Sequence, residues 1–104
     1  MKFIISTLSP SMVTAGDFDL RFHKLSEEEF QALSYDAYSC VGYPDVATMI
    51  NVAYNKEPVK ARPGDILLLV TLSKGNLEYY CIQVCSSESP LVRADELMID
   101  EEMY

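Results

Sequence analysis

This sequence is short of bases, of histidine and of glycine, and it has no tryptophan. Eight lysines and arginines face sixteen acids, which leaves a net charge of −8. A surface of that sign repels phosphate backbones, so direct nucleic-acid binding is not expected. The one histidine, His23, follows a strand-like run beside Lys24. No nucleophile elbow accompanies it, so a Ser-His-Asp triad has no support. The four glycines are scattered, so no phosphate-cradling loop forms. No metal-ligand spacing occurs, and no cofactor motif is present. The longest apolar run, Ile66 to Val70, is far below the ~20 residues that span a bilayer. The opening Met1-Lys2-Phe3-Ile4-Ile5-Ser6 is too short in apolar residues for a signal peptide, so a cytoplasmic protein without membrane contact is expected. Three cysteines, an odd number, point to free thiols. Cys81 and Cys85, four apart on a strand, share a face about 13 Å apart, too far to chelate one ion.

What is present reads as one α+β domain. Its 104 residues suffice for one core. Lys2 to Ser6 is a central strand, and Thr7 to Gly16 carries loop chemistry. Phe18 to Phe22 alternates apolar and polar and reads as a half-buried strand. Ser26 and Glu29 form a capping box, with Leu25 and Phe30 as a hydrophobic staple, so a helix starts at Ser26 and runs to about Leu33. Tyr38 to Val41 reads as a strand, and Pro44 starts a second helix through Val52. Pro58 to Ala61 is a short strand or an extended arm, and Arg62 to Asp65 a tight turn. Ile66 to Leu72 reads as a strand covered on both faces. Lys74-Gly75-Asn76 turns it into a returning strand, Leu77 to Cys85. These elements predict a mixed, mainly antiparallel sheet of about five strands with two or three helices over residues 1–85. Residues 86–104 form an acidic tail or helix, with six acids against Arg93.

Three segments in this order resemble the viral ring nuclease (type III anti-CRISPR) family and its uncharacterised relatives in archaeal viruses, phages and integrative elements. They are Phe3 to Thr14, Ser39-Cys40-Val41-Gly42-Tyr43-Pro44-Asp45-Val46-Ala47, and Asn55-Lys56-Glu57-Pro58-Val59-Lys60-Ala61-Arg62-Pro63-Gly64-Asp65 running into Leu67 to Val70. The resemblance covers about residues 1–85. It implies a homodimer that binds cyclic tetra-adenylate at its interface. It also places the family's catalytic histidine on Tyr43 and a ligand-binding arginine on Lys56. A phenol does not titrate near neutrality as imidazole does. Lysine keeps the charge of arginine but loses its fork. Ring cleavage is therefore expected to be lost, and no catalytic residue is assigned.

The leading expectation is a non-enzymatic anti-defence protein in the host cytoplasm that binds a host CRISPR effector protein. Asp95, Glu96, Asp100, Glu101 and Glu102 would present carboxylates to it, with Tyr43 and other exposed tyrosines as anchors. The alternative is a cyclic-nucleotide sponge or residual ring nuclease. There Gly42, Tyr43 and Lys56 would hold the ligand, and Tyr43 would stack on a base.

Overall fold

The computed structural model describes residues 1–86, so the tail acids lie outside the described residues. The elements are β1 (Lys2–Ile5), β2 (Phe18–Leu25), α1 (Glu27–Ser34), β3 (Tyr38–Ser39), α2 (Pro44–Met49), β4 (Ile66–Ser73) and β5 (Asn76–Ser86), with a 3-10 turn at Pro10–Met12. The five strands form one sheet in the order β2-β5-β4-β1-β3. β1 runs parallel to both β3 and β4, whereas β5 is antiparallel to both β2 and β4. The eight-residue ladders are the antiparallel ones, so the sheet is mixed and mainly antiparallel, as the sequence predicts.

Strand alternation divides the core in two. Phe3, Ile5, Leu67, Leu69, Ile82 and Val84 face one way, covered by Val13 from the first loop and by Val59 and Ala61 from the extended arm. Ile4, Leu68, Val70 and Cys81 face the other way, against Phe30 of α1, Ala47 of α2 and Val41. Both helices lie on that second face. β4 is apolar at every inner position because both faces of the sheet are covered there, and Leu67 and Leu68 are fully buried.

Local chemistry sets the ends. The Ser26 hydroxyl accepts from the Glu29 N–H at 3.1 Å, and the Glu29 carboxylate accepts from the Ser26 N–H at 2.8 Å, completing the capping box. Lys74 and Gly75 both take positive φ, 51° and 82°, as a two-residue hairpin with primed-turn geometry requires. Gly64, at φ 101°, shapes the turn into β4. Asp65 Oδ2 accepts from the Arg62 N–H at 3.0 Å across that turn.

Three boundaries differ from expectation. β2 continues to Leu25 because β5 is long enough to pair with it as far as Leu25 opposite Tyr79. His23 therefore lies within a strand, opposite Cys81, rather than at a strand end. The ladder of β3 stops at Ser39, and Val41 instead forms an isolated parallel bridge with Tyr54. α2 ends at Met49, three residues before Val52, because the Asn51 N–H tightens onto the Thr48 carbonyl at 3.2 Å and Asn51 enters the left-handed region at φ 59°. The cysteines are free: Cys81 is buried, while Cys40 and Cys85 are only partly so.

Two stability predictions follow from this core and this turn. Leu68→Ala should cost ~2–5 kcal/mol in urea denaturation, because its site is closed on both faces. Burial alone would push the Asp65 carboxyl up, but the Arg62 backbone N–H, then the Met1 ammonium and the Arg62 charge, outweigh it and hold the carboxyl low. A depressed carboxylate stabilises the fold above its unfolded value and loses that contribution as pH falls through the folded value. Denaturation of Asp65→Asn should therefore show lower stability than the parent at neutral pH, with the gap closing in acid.

Candidate functional site

β1 and β3 are parallel neighbours, so their C-terminal ends open on the same side of the sheet, where open α/β sheets place ligand groups. The chain leaves β1 through Ser6 and Thr7 and leaves β3 through Cys40, Gly42 and Tyr43. The segment Asn55 to Val59 passes beside both. Together with Met12 these residues line a cleft of about 390 Å³. Gly42, Tyr43 and Lys56, which the sequence proposes as ligand residues, are all on its wall.

Asn55 ties the two segments together. Its backbone N–H donates to the Val41 carbonyl at 2.9 Å. Its side-chain amide donates to the Ser39 carbonyl at 2.9 Å, and its Oδ1 accepts from the Glu57 N–H at 3.0 Å. The Ser39 hydroxyl donates to the Ala53 carbonyl, adding a further tie. Lys56 is thus flanked by two residues whose backbone is fixed. The sequence reading gives Asn55 a place in a motif and no role. The available signal is Asn-x-Glu, in which an asparagine side chain accepts from the N–H two residues on.

Gly42 is not there for backbone freedom. A Cβ added to it would lie 3.8 Å from the Asn55 carbonyl oxygen, an ordinary contact. What it contributes is an open wall. Tyr43 caps α2 without a side-chain cap bond and is 56% exposed, so its ring is presented at the cleft mouth.

The electrostatics are sparse. Among the described residues, Lys56 is the one cation on the wall and Glu57 the one carboxylate. Burial, then the Glu57 charge, pushes the Cys40 thiol up, so it stays protonated and is a weak nucleophile. His23 is at the opposite edge of the sheet, with β5, β4 and β1 between it and β3. A larger hollow of about 560 Å³ lies between α1, the end of α2 and the β4–β5 turn. It is lined by Glu27, Gln31, Asn51 and Asn76 with Phe30 and Tyr79, and among the described residues no base lines it. It holds none of the ligand residues proposed from the sequence, and none of the described residues lining it is a cation that could hold an anion.

The expected protein-binding acids Asp95, Glu96, Asp100, Glu101 and Glu102 lie outside the described residues. The tyrosine anchors are better defined. Tyr35, Tyr38, Tyr43 and Tyr54 are exposed, and all four come from the segment around β3. Tyr79 and Tyr80 point to opposite faces and are partly buried. Tyr79 stacks on Phe30 with ring centroids 4.7 Å apart, and the Tyr80 hydroxyl donates to Glu78 at 3.0 Å. Among the described residues, no group of side chains is placed to hold a metal ion, and no helix is long and apolar enough to cross a membrane.

No protein-family model and no curated protein sequence matches this chain. Among solved structures it is similar to B116 of Sulfolobus turreted icosahedral virus. The TM-score is 0.65 at 17% sequence identity, over 79% of this chain and 97% of that one. The two share a fold, that of an archaeal-virus protein.

If Asn55 holds the cleft together, Asn55→Ala should lower stability by ~1–3 kcal/mol, because the Glu57 N–H and the Ser39 carbonyl lose their partner. Gly42→Ala should leave stability unchanged within ~0.5 kcal/mol, since nothing blocks the added carbon. Thermal denaturation of the two variants against the parent checks both.

Proposed function

We propose that this chain is a viral or mobile-element protein that counters a host defence by binding rather than by catalysis, and that it takes a cyclic nucleotide into the cleft of Gly42, Tyr43 and Lys56. The observation that carries this reading is the convergence of those residues, with Asn55 bracing them, at the C-terminal ends of two parallel strands. The fold shared with an archaeal-virus protein and the resemblance to viral ring nucleases support the viral setting. An exposed phenol beside an open glycine wall suits stacking on a base. Lys56 suits one phosphate, as a point charge.

Three features favour holding the ligand over cutting it. A tyrosine occupies the position where the resemblance expects the catalytic histidine. The Cys40 thiol is kept protonated. The only histidine is at the far edge of the sheet. A captured cyclic nucleotide is withdrawn from the signalling it would otherwise drive, which is the action of a sponge. With one ammonium among the described residues of the cleft and a net charge of −8 on the chain, affinity rests on stacking and hydrogen bonds more than on charge.

A second reading has its own support. Four exposed tyrosines around β3 are the kind of side chain that anchors protein interfaces. Together with the acidic tail they suit docking on the basic, nucleic-acid-binding channel of a host CRISPR effector.

Mixing the protein with cyclic oligoadenylates and cyclic dinucleotides separates these readings. Nucleotide binding predicts a raised melting temperature with no product formed. Tyr43→Ala should weaken that binding about tenfold or more, the scale of one lost stacking contact. Lys56→Ala should weaken it less, and the parent's affinity should change little between low and moderate salt. Product formation would contradict the non-catalytic part. No thermal shift with any cyclic nucleotide would leave protein docking as the account.

A further inference from the structure

We propose that the hollow between α1, the end of α2 and the β4–β5 turn is a docking site for an arginine side chain of a protein partner. At about 560 Å³ it is larger than the cleft. It is also separate from the cleft: Tyr43 at the start of α2 lines the cleft, while Met49 at its end lines the hollow. It lies at the Asn76 end of β5, about 30 Å along that strand from Ser86. The site extends the protein-docking reading and does not rest on the nucleotide cleft.

The walls are rich in hydrogen-bond acceptors, and no described residue among them is a cation. Glu27, the first residue of α1, supplies a carboxylate. The Gln31 amide donates to its Oε2 at 3.5 Å, which leaves the Gln31 carbonyl as an acceptor. Asn51 and Asn76 add two further amides, and no hydrogen bond to a described residue engages either side chain. Burial, then the Glu27 charge, pushes the Tyr79 phenol up, a sign that carboxylate and phenol face the same space.

A carboxylate among neutral acceptors suits a cation, and the aromatic part of the wall selects which one. Tyr79 stacks on the buried Phe30, with ring planes 30° apart. A guanidinium is planar and weakly hydrated, and it stacks on aromatic faces. Its N–H donors fan out in one plane, so they reach the Glu27 carboxylate and the amide carbonyls together. An ammonium is compact and strongly hydrated, and it loses more on entering a half-apolar hollow.

The rim points to an arginine carried by a protein rather than to the free amino acid. Met49 on the wall is 50% exposed, and Leu72 is 55% exposed. Leu72 pairs with Leu77, which lines the hollow, and alternation puts Leu72 on the same face as Leu68 and Val70. Two large apolar side chains thus stand exposed beside an acidic centre. Free arginine leaves them wet, whereas the residues flanking an arginine in a partner cover them and exclude water from the pair. The net charge of −8 attracts a basic partner to such a surface.

Amide chemical-shift titration of the labelled full chain tests this with three probes: the peptide acetyl-Leu-Arg-Leu-amide, its lysine counterpart and free arginine. The arginine peptide should give saturable shifts at Glu27, Gln31, Asn51 and Asn76, and should bind about tenfold more tightly than either other probe. Glu27→Gln should weaken it about tenfold by removing the charge-assisted pair. Asn51→Gly keeps the left-handed backbone, removes one amide and should weaken it about threefold. Circular dichroism should show both variants folded. No shifts, or shifts at Gly42 and Lys56 instead, would overturn the proposal, as would an affinity indifferent to Glu27→Gln. Equal binding of the lysine peptide would overturn the choice of guanidinium, and equal binding of free arginine the choice of a protein partner. If Glu27→Gln fails to fold, an Asn51→Gly variant that binds as tightly as the parent would overturn the site. The cleft is read at different residues, so failure here leaves the nucleotide reading standing.

Discussion

β1 is paired on both edges and covered on both faces, and the rest of the structure is arranged around that constraint. A strand with parallel partners on either side cannot be joined to them by hairpins, so the chain must cross over twice. The first crossover contributes β2 and α1, and the second contributes α2 and the long arm that bridges to the first loop at Val13 and Ala61. Both helices cover one face, while loop and arm cover the other. The candidate cleft is a result of the same constraint: it opens where β1 and β3 end together and the chain leaves each of them.

The cleft's chemistry is modest, and that shapes the functional reading. Its polar ties are used internally, chiefly by Asn55, which holds Lys56 beside Gly42 and Tyr43. One ammonium, one open glycine wall and one exposed aromatic ring can hold a nucleotide. They lack a group that exchanges protons near neutral pH, and a thiol pushed upward by burial does not replace one. The acidic balance of the chain makes recognition of a bare phosphate backbone unfavourable, whereas a base stacked on Tyr43 does not depend on that balance. The sheet's two edges thus have different characters. The β3 edge carries the tyrosines and the cleft, and the β2 edge carries alternating charge.

Signals that depend on a few adjacent residues were legible in the sequence. Ser26 with Glu29, Lys74-Gly75, and the unbroken apolar run from Ile66 each specify their element through local chemistry, and the order of strands and helices follows from them. What adjacent residues do not encode is partnership. The bridge between Val41 and Tyr54 and the reach of β2 to Leu25 depend on contacts far apart along the chain. The alternation at Phe18 to Phe22 marks a half-buried strand. It does not say that β2 is an edge, nor that Phe22 lies beyond the cover of loop and arm. In the site, Gly42, Tyr43 and Lys56 were legible through a resemblance, and their meeting in one cleft is a property of the fold. Asn55 was visible as a motif member, but its bracing role needs Ser39 and Val41 beside it, more than a dozen residues earlier.

Amide chemical-shift mapping of the labelled protein, titrated with cyclic tetra-adenylate, tests the central claim most directly. The account predicts saturable shifts concentrated at Thr7, Gly42, Tyr43, Asn55 and Lys56, with the ligand still cyclic at the end of the titration. Shifts confined to other surfaces, or none at millimolar ligand, would contradict the cleft as a nucleotide site.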